Sequence, residues 1–156
     1  MSTVLKNLSE TKGEIPSGKN RKFVICVSEW NGEITSVLLS AAEETLEKHG
    51  AQTIIVSAVP GCFELPLAAQ KMIERHKPDA VICLGCVIRG ETPHFDYVCQ
   101  AAAQGISEVG LKTGIPVVFG VLTVNTVEQA RDRAGGKYGN KGVEAAYTAL
   151  KMTEYL

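Results

Sequence analysis

The chain has 156 residues, of which 45% are hydrophobic and 21% are charged, and its formal net charge at pH 7 is −1. This length suits one domain, and this composition excludes collagen, coiled coils and disordered polymers. The nearly balanced charge argues against nucleic acid or an anionic membrane as a partner, and no apolar run approaches the roughly 20 residues of a membrane-spanning helix.

Residues 1–21 are polar and lack the apolar stretch of a signal peptide, so we expect a flexible N-terminal arm before a folded domain over residues 22–156. The five cysteines are odd in number and irregularly spaced. An odd number of irregularly spaced cysteines is typical of a protein in a reducing compartment and not of a secreted disulfide scaffold. We therefore predict a cytoplasmic protein.

Short apolar runs, turns with Gly or Pro, and helical patterns alternate along the chain. In chain order we predict a strand over 23–27, a helix over 34–46 that Gly50 closes, a strand over 53–59, a helix over 63–75, a strand over 80–87, a helix over 95–109, a strand over 115–122, and helices over 127–134 and 142–155. Residues 135–142 form the linker between the last two helices.

Strands that alternate with long helices predict right-handed βαβ units and a parallel sheet. The predicted fold is a three-layer α/β/α sandwich around four parallel strands. Ligands of such sheets bind beyond the carboxyl ends of the strands, so the strand-to-helix turns are the candidate functional segments.

The first two turns carry an aromatic residue and a carboxylate. Trp30, the only tryptophan, directly follows a buried strand. It either stacks on a planar ligand or forms a hydrophobic lid over the end of the sheet. Glu64 either accepts hydrogen bonds from a polyhydroxylated ligand or complements the dipole of the helix that it begins.

The third turn, GCVIRGETPHFDY over residues 85–97, combines glycines with a hydroxyl and a histidine. Its backbone N–H groups and Thr92 predict an anion-binding nest, and His94 is either catalytic or a surface residue. No phosphate-binding Gly-Lys-Ser/Thr motif and no dinucleotide-binding glycine motif is present.

Two further groups of residues have alternative interpretations. Cys83 and Cys86 have the spacing of a metal or redox pair, but their apolar strand and the lack of a second pair favour buried structural thiols. Arg133 and Lys141 belong to a basic, Gly-rich segment that is either a solvated surface or a phosphate-binding site.

Taken together, these turns resemble the 6,7-dimethyl-8-ribityllumazine synthase family, which has a flavodoxin-like α/β/α fold. The matching segments run in order through the chain: WN (30–31), VPGCFELP (59–66), GCVIRGETPHFDYV (85–98), FGVLT (119–123), RAG (133–135) and GNKG (139–142). The resemblance implies condensation of 5-amino-6-ribitylaminouracil with 3,4-dihydroxy-2-butanone 4-phosphate, with release of phosphate and water. It implies no cofactor and no metal.

The resemblance also implies a role for each matching residue. Trp30 would stack on the pyrimidine, Cys62, Phe63 and Glu64 would line the ribityl chain, and Cys86, Val87 and Ile88 would border the ring. The phosphate of the second substrate would be held by Glu91 and Thr92, and His94 would transfer protons. The neighbouring subunit would supply Phe119 over the ring and Arg133 at the phosphate, with Lys141 supporting that charge.

The assembly implied by the resemblance is a homopentamer. The short 135–142 linker favours an icosahedral capsid of pentamers, with which a riboflavin synthase would associate. Pro16 argues against the capsid, because in the family the arm adds a strand to the neighbour's sheet and proline lacks a ladder donor. Trp30 stands where Phe is commoner, and Cys62 where Ala or Ser is usual; neither change removes the expected role.

Three rival functions follow from the same residues. A flavin-binding module would use the aromatic residue but would not need His94 beside a phosphate nest. A lumazine or riboflavin carrier would bind the ligand without turnover. A pure assembly protein leaves Glu64, His94 and Arg133 together unexplained.

Overall fold

In the computed structural model, residues 7, 9–11 and 13–156 are described. The central sheet contains four parallel strands, β1 (Lys22–Ser28), β2 (Thr53–Val59), β3 (Ala80–Ile88) and β4 (Val117–Val124), in the order β2-β1-β3-β4. Within the described residues, five α-helices follow or connect these strands: α1 (Gly32–Lys48), α2 (Leu65–His76), α3 (His94–Thr113), α4 (Val127–Asp132) and α5 (Lys141–Met152).

The sheet separates two hydrophobic clusters, and helices cover both of its faces. Alternate residues of β1 and β3 pack with α1 and α5 on one face, where Phe23, Leu38 and Leu150 are fully buried. The intervening residues pack with α2 and α3 on the other face, where Leu65 and Ile106 are buried. The predicted three-layer, flavodoxin-like α/β/α fold is therefore confirmed.

The predicted elements are all present, with differences at their ends. The second helix begins later than predicted, because residues Cys62–Glu64 form a 3-10 turn and α2 starts at Leu65. The fourth strand is shifted to Val117–Val124, and the last helix ends at Met152 before a 3-10 turn at Thr153–Tyr155. Gly50, with a φ of 94°, lies in the left-handed region, as predicted for the residue that closes the first helix.

The linker between the last two helices contains a small antiparallel hairpin, β5 (Ala134–Gly136) and β6 (Gly139–Asn140), that the sequence analysis did not predict. Gly135 and Gly139 have positive φ angles of 94° and 87°. Glycines with such angles allow the tight turn of a hairpin. In the sequence alone, a segment rich in glycine is also typical of a flexible linker, so the hairpin was not predicted.

Part of the predicted N-terminal arm contacts the same chain. The predicted arm includes residues 1–6, 8 and 12, which lie outside the described residues. Ser9 Oγ donates to the carbonyl of Asn140 at 3.0 Å and accepts from its N–H at 2.6 Å. Further along, Ile15 packs against the α1 and α5 cluster, and the N–H of Gly18 donates to the carbonyl of His49 at 2.7 Å.

Candidate active site

A cleft of about 470 Å³ opens beyond the carboxyl ends of β1, β2 and β3, near the point where the strand order reverses. It brings together eight of the predicted site residues: Trp30, Cys62, Phe63, Glu64, Cys86, Val87, Ile88 and His94. The turns that follow three different strands therefore converge on one site.

The first turn presents Trp30 to this cleft. The turn is fixed to the next strand, because the N–H groups of Glu29 and Trp30 donate to the carbonyls of Val59 at 2.8 Å and Pro60 at 3.0 Å. The indole lies over Gly61, where a Cβ would come within 2.6 Å of it. It remains 66% exposed, so it covers little of the sheet end and can offer a face to a planar ligand.

Asn31 was missed as a site residue by the sequence analysis. It lines the cleft with a φ of 60°, and its side-chain Nδ2 donates to the carbonyl of Cys86 at 2.9 Å. Asn tolerates the left-handed conformation better than most residues, so an Asn directly before a glycine and a helix was an available signal. Ser28 and Val98 also line the cleft without having been predicted.

The second turn places a carboxylate at the edge of the cleft. Glu64 Oε2 accepts the N–H of Gly61 at 3.0 Å, which caps the 3-10 turn Cys62–Glu64. This contact occupies one carboxylate oxygen, and a capped side chain is held in one orientation. Phe63 beside it is 62% exposed. Glu64 therefore caps its own turn with one carboxylate oxygen, and among the described residues its other oxygen has no hydrogen-bond partner.

Two buried thiols line the inner part of the cleft. Cys62 is buried and its thiol donates to Ser28 Oγ at 3.8 Å; burial raises its pKa. Burial likewise raises the pKa of Cys86 to about 12. Both thiols are protonated at neutral pH, so neither is an activated nucleophile.

The paired spacing of Cys83 and Cys86 does not create a shared site. Cys83 packs in the α2 and α3 cluster, whereas Cys86 packs in the α1 and α5 cluster on the opposite face of the sheet. Side chains three positions apart on a strand point to opposite faces, so one metal ion cannot bind both thiols. Within the described residues, no group of three or more His, Cys, Asp or Glu side chains is arranged to hold a metal ion.

The third turn leads from β3 to the start of α3. His94 is the first residue of that helix, is exposed, and has its N–H 3.4 Å from Thr92 Oγ1. Glu91 and Thr92 are exposed beside it and do not line the cleft. A histidine at the edge of an apolar cleft, next to the N-terminus of a long helix, is placed to exchange protons with a ligand bound in that cleft.

The remaining predicted residues lie on other surfaces of the chain. Arg133 and Lys141 line a second cleft of about 350 Å³ beside β4, and Phe119 lines an adjoining groove together with Lys141. None of these three residues lines the cleft that contains His94. Of the thirteen predicted site residues, eight therefore line the cleft that contains His94, and three line other clefts. Glu91 and Thr92 line none of these clefts.

The second cleft holds its cations in defined contacts. Arg133 Nη1 donates to the carbonyl of Gln129 at 3.0 Å, and its guanidinium lies 4.9 Å from the ring centre of Tyr138. Lys141 Nζ is 2.8 Å from Glu144 Oε1. The guanidinium of Arg133 is oriented, and it pairs with no carboxylate in the part of the chain that the structure describes, which suits it to bind an anion.

Comparison with known proteins gives one consistent result. Residues 20–156 match the family model described as 6,7-dimethyl-8-ribityllumazine synthase. The chain is 58% identical to the protein of that name from Cytophaga hutchinsonii, with 97% of each chain covered. It is 53% identical to the protein of that name from Porphyromonas gingivalis, and the match covers 97% of this chain and 96% of the relative. It is 51% identical to the one from Phocaeicola vulgatus, and that match covers 99% of this chain and 94% of the relative. Among the described residues, no helix has the length and apolarity needed to cross a bilayer.

Proposed function

The chain belongs to the 6,7-dimethyl-8-ribityllumazine synthase family, and on that premise we propose how its residues perform the reaction. The enzyme condenses 5-amino-6-ribitylaminouracil with 3,4-dihydroxy-2-butanone 4-phosphate and releases phosphate and water, a step of riboflavin biosynthesis. The observation that carries the proposal is the convergence of Trp30, Glu64 and His94 on one cleft at the carboxyl ends of the strands.

The pyrimidine substrate binds in the cleft of about 470 Å³. The exposed indole of Trp30 stacks on the ring, and the backbone of Cys86, Val87 and Ile88 borders it. The ribityl chain extends over the 3-10 turn, where the free oxygen of Glu64 accepts its hydroxyl groups. The Gly61 contact holds that carboxylate in place before the substrate arrives.

His94 transfers protons during the condensation. A substrate amine attacks the ketone, an imine forms with loss of water, and phosphate leaves by elimination. The second amine then attacks the carbonyl that the elimination leaves, and a second water is lost as the ring closes. Each step moves a proton at nitrogen, carbon or oxygen, and the position of His94 at the edge of the cleft suits this role. Holding the two substrates side by side supplies much of the remaining acceleration.

The phosphate of the second substrate binds where two positive features meet. The turn at Glu91 and Thr92 offers backbone N–H groups beside the N-terminus of α3. A neighbouring chain adds the oriented guanidinium of Arg133, with Lys141 close to it, and together these cations stabilise the leaving phosphate.

Completion of this site needs a second subunit. Phe119, Arg133 and Lys141 lie outside the His94 cleft of their own chain, and a head-to-tail ring would place them against the cleft of the next chain. Phe119 is 37% exposed, as a residue that covers a neighbour's ligand should be. We propose a homopentamer in which residues 22–156 form the catalytic domain.

We further propose that the pentamers assemble into an icosahedral capsid in the cytoplasm, with riboflavin synthase as an associated partner. The short connection between α4 and α5, filled by the β5–β6 hairpin, supports this assembly. Pro16 argues against the capsid, because a proline in the N-terminal arm would weaken the strand that the arm adds to the neighbouring subunit's sheet. Light scattering at neutral pH measures the particle mass; a capsid is expected, and pentamers alone would contradict the capsid but not the shared site.

Turnover with both substrates tests the enzymatic function. The purified chain should produce lumazine absorbance and inorganic phosphate at matching rates. A carrier would bind lumazine with no phosphate release, and a flavin-binding module would bind flavin with no product. Heat-denatured protein and reactions lacking one substrate are the controls, and a folded chain that forms no product would contradict the proposed activity.

A further inference from the structure

We propose that Arg89 is a positioning residue that holds the third turn so that His94 stays at the edge of the cleft. The proposal rests on the proton-transfer role proposed for His94. Arg89 directly follows β3 and does not line the cleft. Its effect on the reaction would therefore act through the turn that it holds.

On one side, Arg89 is fastened to the end of β4. Its backbone N–H donates to the carbonyl of Val124 at 2.9 Å, which extends the β3–β4 pairing by one residue. Its side-chain Nε donates to Asn125 Oδ1, also at 2.9 Å. The start of the turn is thus connected to the neighbouring strand by both the backbone and the side chain.

On the other side, the same guanidinium contacts the two residues that follow His94. It lies 4.3 Å from the ring centre of Phe95, within the range of a cation–π contact, and its Nη2 is 3.5 Å from Asp96 Oδ1. Arg89 therefore joins the end of β4 to the first turn of α3, where His94 is the first residue.

On the β4 side, the backbone of Asn125, whose side chain supplies the acceptor, is itself fixed. The N–H of Asn125 donates to Gln129 Oε1 at 2.8 Å, and the N–H of Gln129 donates to Thr126 Oγ1 at 3.2 Å, which caps α4. A donor that pairs with an anchored acceptor holds its own segment in place, whereas a mobile acceptor would not.

The rest of the turn has few contacts that could hold it. Among the described residues, a Cβ at Gly90 would meet no atom within 4 Å, and Glu91, Thr92 and Pro93 are exposed. Only arginine can stack a planar cation on Phe95 while an Nε–H reaches Asn125, because a lysine ammonium is a single point charge. The geometry therefore points to arginine, and not merely a positive charge, at this position.

A double-mutant cycle in the assembled enzyme tests the proposal. Arg89→Ala should lower kcat about 10-fold, since a displacement of about 1 Å can cost as much as about 100-fold, and should leave KM for the pyrimidine unchanged. In the His94→Ala background the same substitution should lower kcat by less than about twofold, because the residue that it positions is absent. Arg89→Lys should remain at least about threefold below wild type.

Two further variants make the cycle specific. Arg21→Ala removes a similar ion pair, with Asp79 at 3.4 Å, at the amino end of the sheet, and should leave kcat unchanged. Asn125→Ala removes only the side-chain acceptor of Arg89 and should give a smaller loss that also disappears in the His94→Ala background. It tests the proposal even if Arg89→Ala does not fold, which circular dichroism reports.

The outcomes separate this proposal from the one on which it rests. Equal losses with and without His94, or a change in pyrimidine KM with kcat intact, would overturn the positioning role. If His94→Ala retains full kcat, both the proton-transfer role and the positioning role fail. If the wild-type chain forms no product, the proposed function fails instead.

Discussion

A rescue experiment between two impaired variants tests whether each active site is shared between subunits. In one chain, His94 lines the cleft at the ends of β1, β2 and β3, whereas Arg133 lines the separate cleft beside β4. If neighbouring chains supply these residues to one site, His94→Ala and Arg133→Ala subunits can complement each other. If each site lies within one chain, they cannot.

The expected parent activities follow from the contacts that are lost. Removal of a general acid–base costs about 100-fold or more, so His94→Ala should retain about 1% of wild-type kcat. Arg133 has an oriented guanidinium, and loss of a charge-assisted contact costs about 1.5–3 kcal/mol, or roughly 10 to 100-fold. Arg133→Ala should therefore show a raised KM for the phosphate substrate, with little change for the pyrimidine.

Random mixing fixes the size of the rescue. Equal amounts of the two variants, unfolded together and reassembled, give four kinds of interface in equal numbers, and about a quarter carry both wild-type residues. At low concentration of the phosphate substrate, the mixture should reach about 25% of the activity of reassembled wild type, well above the mean of the two parents.

The assay measures lumazine absorbance under these conditions, and native mass spectrometry verifies that the assemblies contain both variants. Parent assemblies mixed without unfolding are the control and should stay at the mean of the two. Activity at that mean in assemblies shown to be mixed would refute the shared site and place all the residues on one chain.

Three other predictions concern single positions. In His94→Ala, kcat should fall about 100-fold with the pyrimidine KM nearly unchanged; complete loss in a folded assembly would show a larger role. Gly142→Ala would drive a Cβ into the carbonyl of Leu38 and should destabilise the fold by about 1–3 kcal/mol in calorimetry, whereas Gly32→Ala has open space and should not lower Tm. Since burial raises the pKa of Cys86 to about 12, its thiol should resist iodoacetamide at pH 8 in the folded protein; modification as fast as in denatured chain would contradict that burial.

Much of the site followed from the sequence because parallel strands end at one edge of the sheet. The segments around Trp30, Glu64 and His94 are turns after predicted strands, and the structure brings all three to one cleft. The interpretation of Cys83 and Cys86 as buried structural thiols fits their packing on opposite faces of the sheet. The role of each residue stays a prediction until the variants are measured.

Contacts between distant segments could not be predicted in the same way. Nothing local indicates that Asn31 donates to the carbonyl of Cys86, or that Arg89 reaches Asn125, 36 positions later in the chain. Glu64 has the same sequence context whether it caps its own turn or binds a ligand, and the structure shows that one oxygen does the first. Such contacts depend on which strands are neighbours.

The sequence by itself determined the α/β class, the number of sheet strands and the turns that hold the candidate residues. Continuous apolar runs such as 23–27 and helical periodicity are local properties, set by the faces that each segment must bury. Tertiary structure alone decided the strand order, the β5–β6 hairpin and the separation of Arg133 from the His94 cleft. These features depend on packing between residues far apart in the chain, which no local pattern encodes.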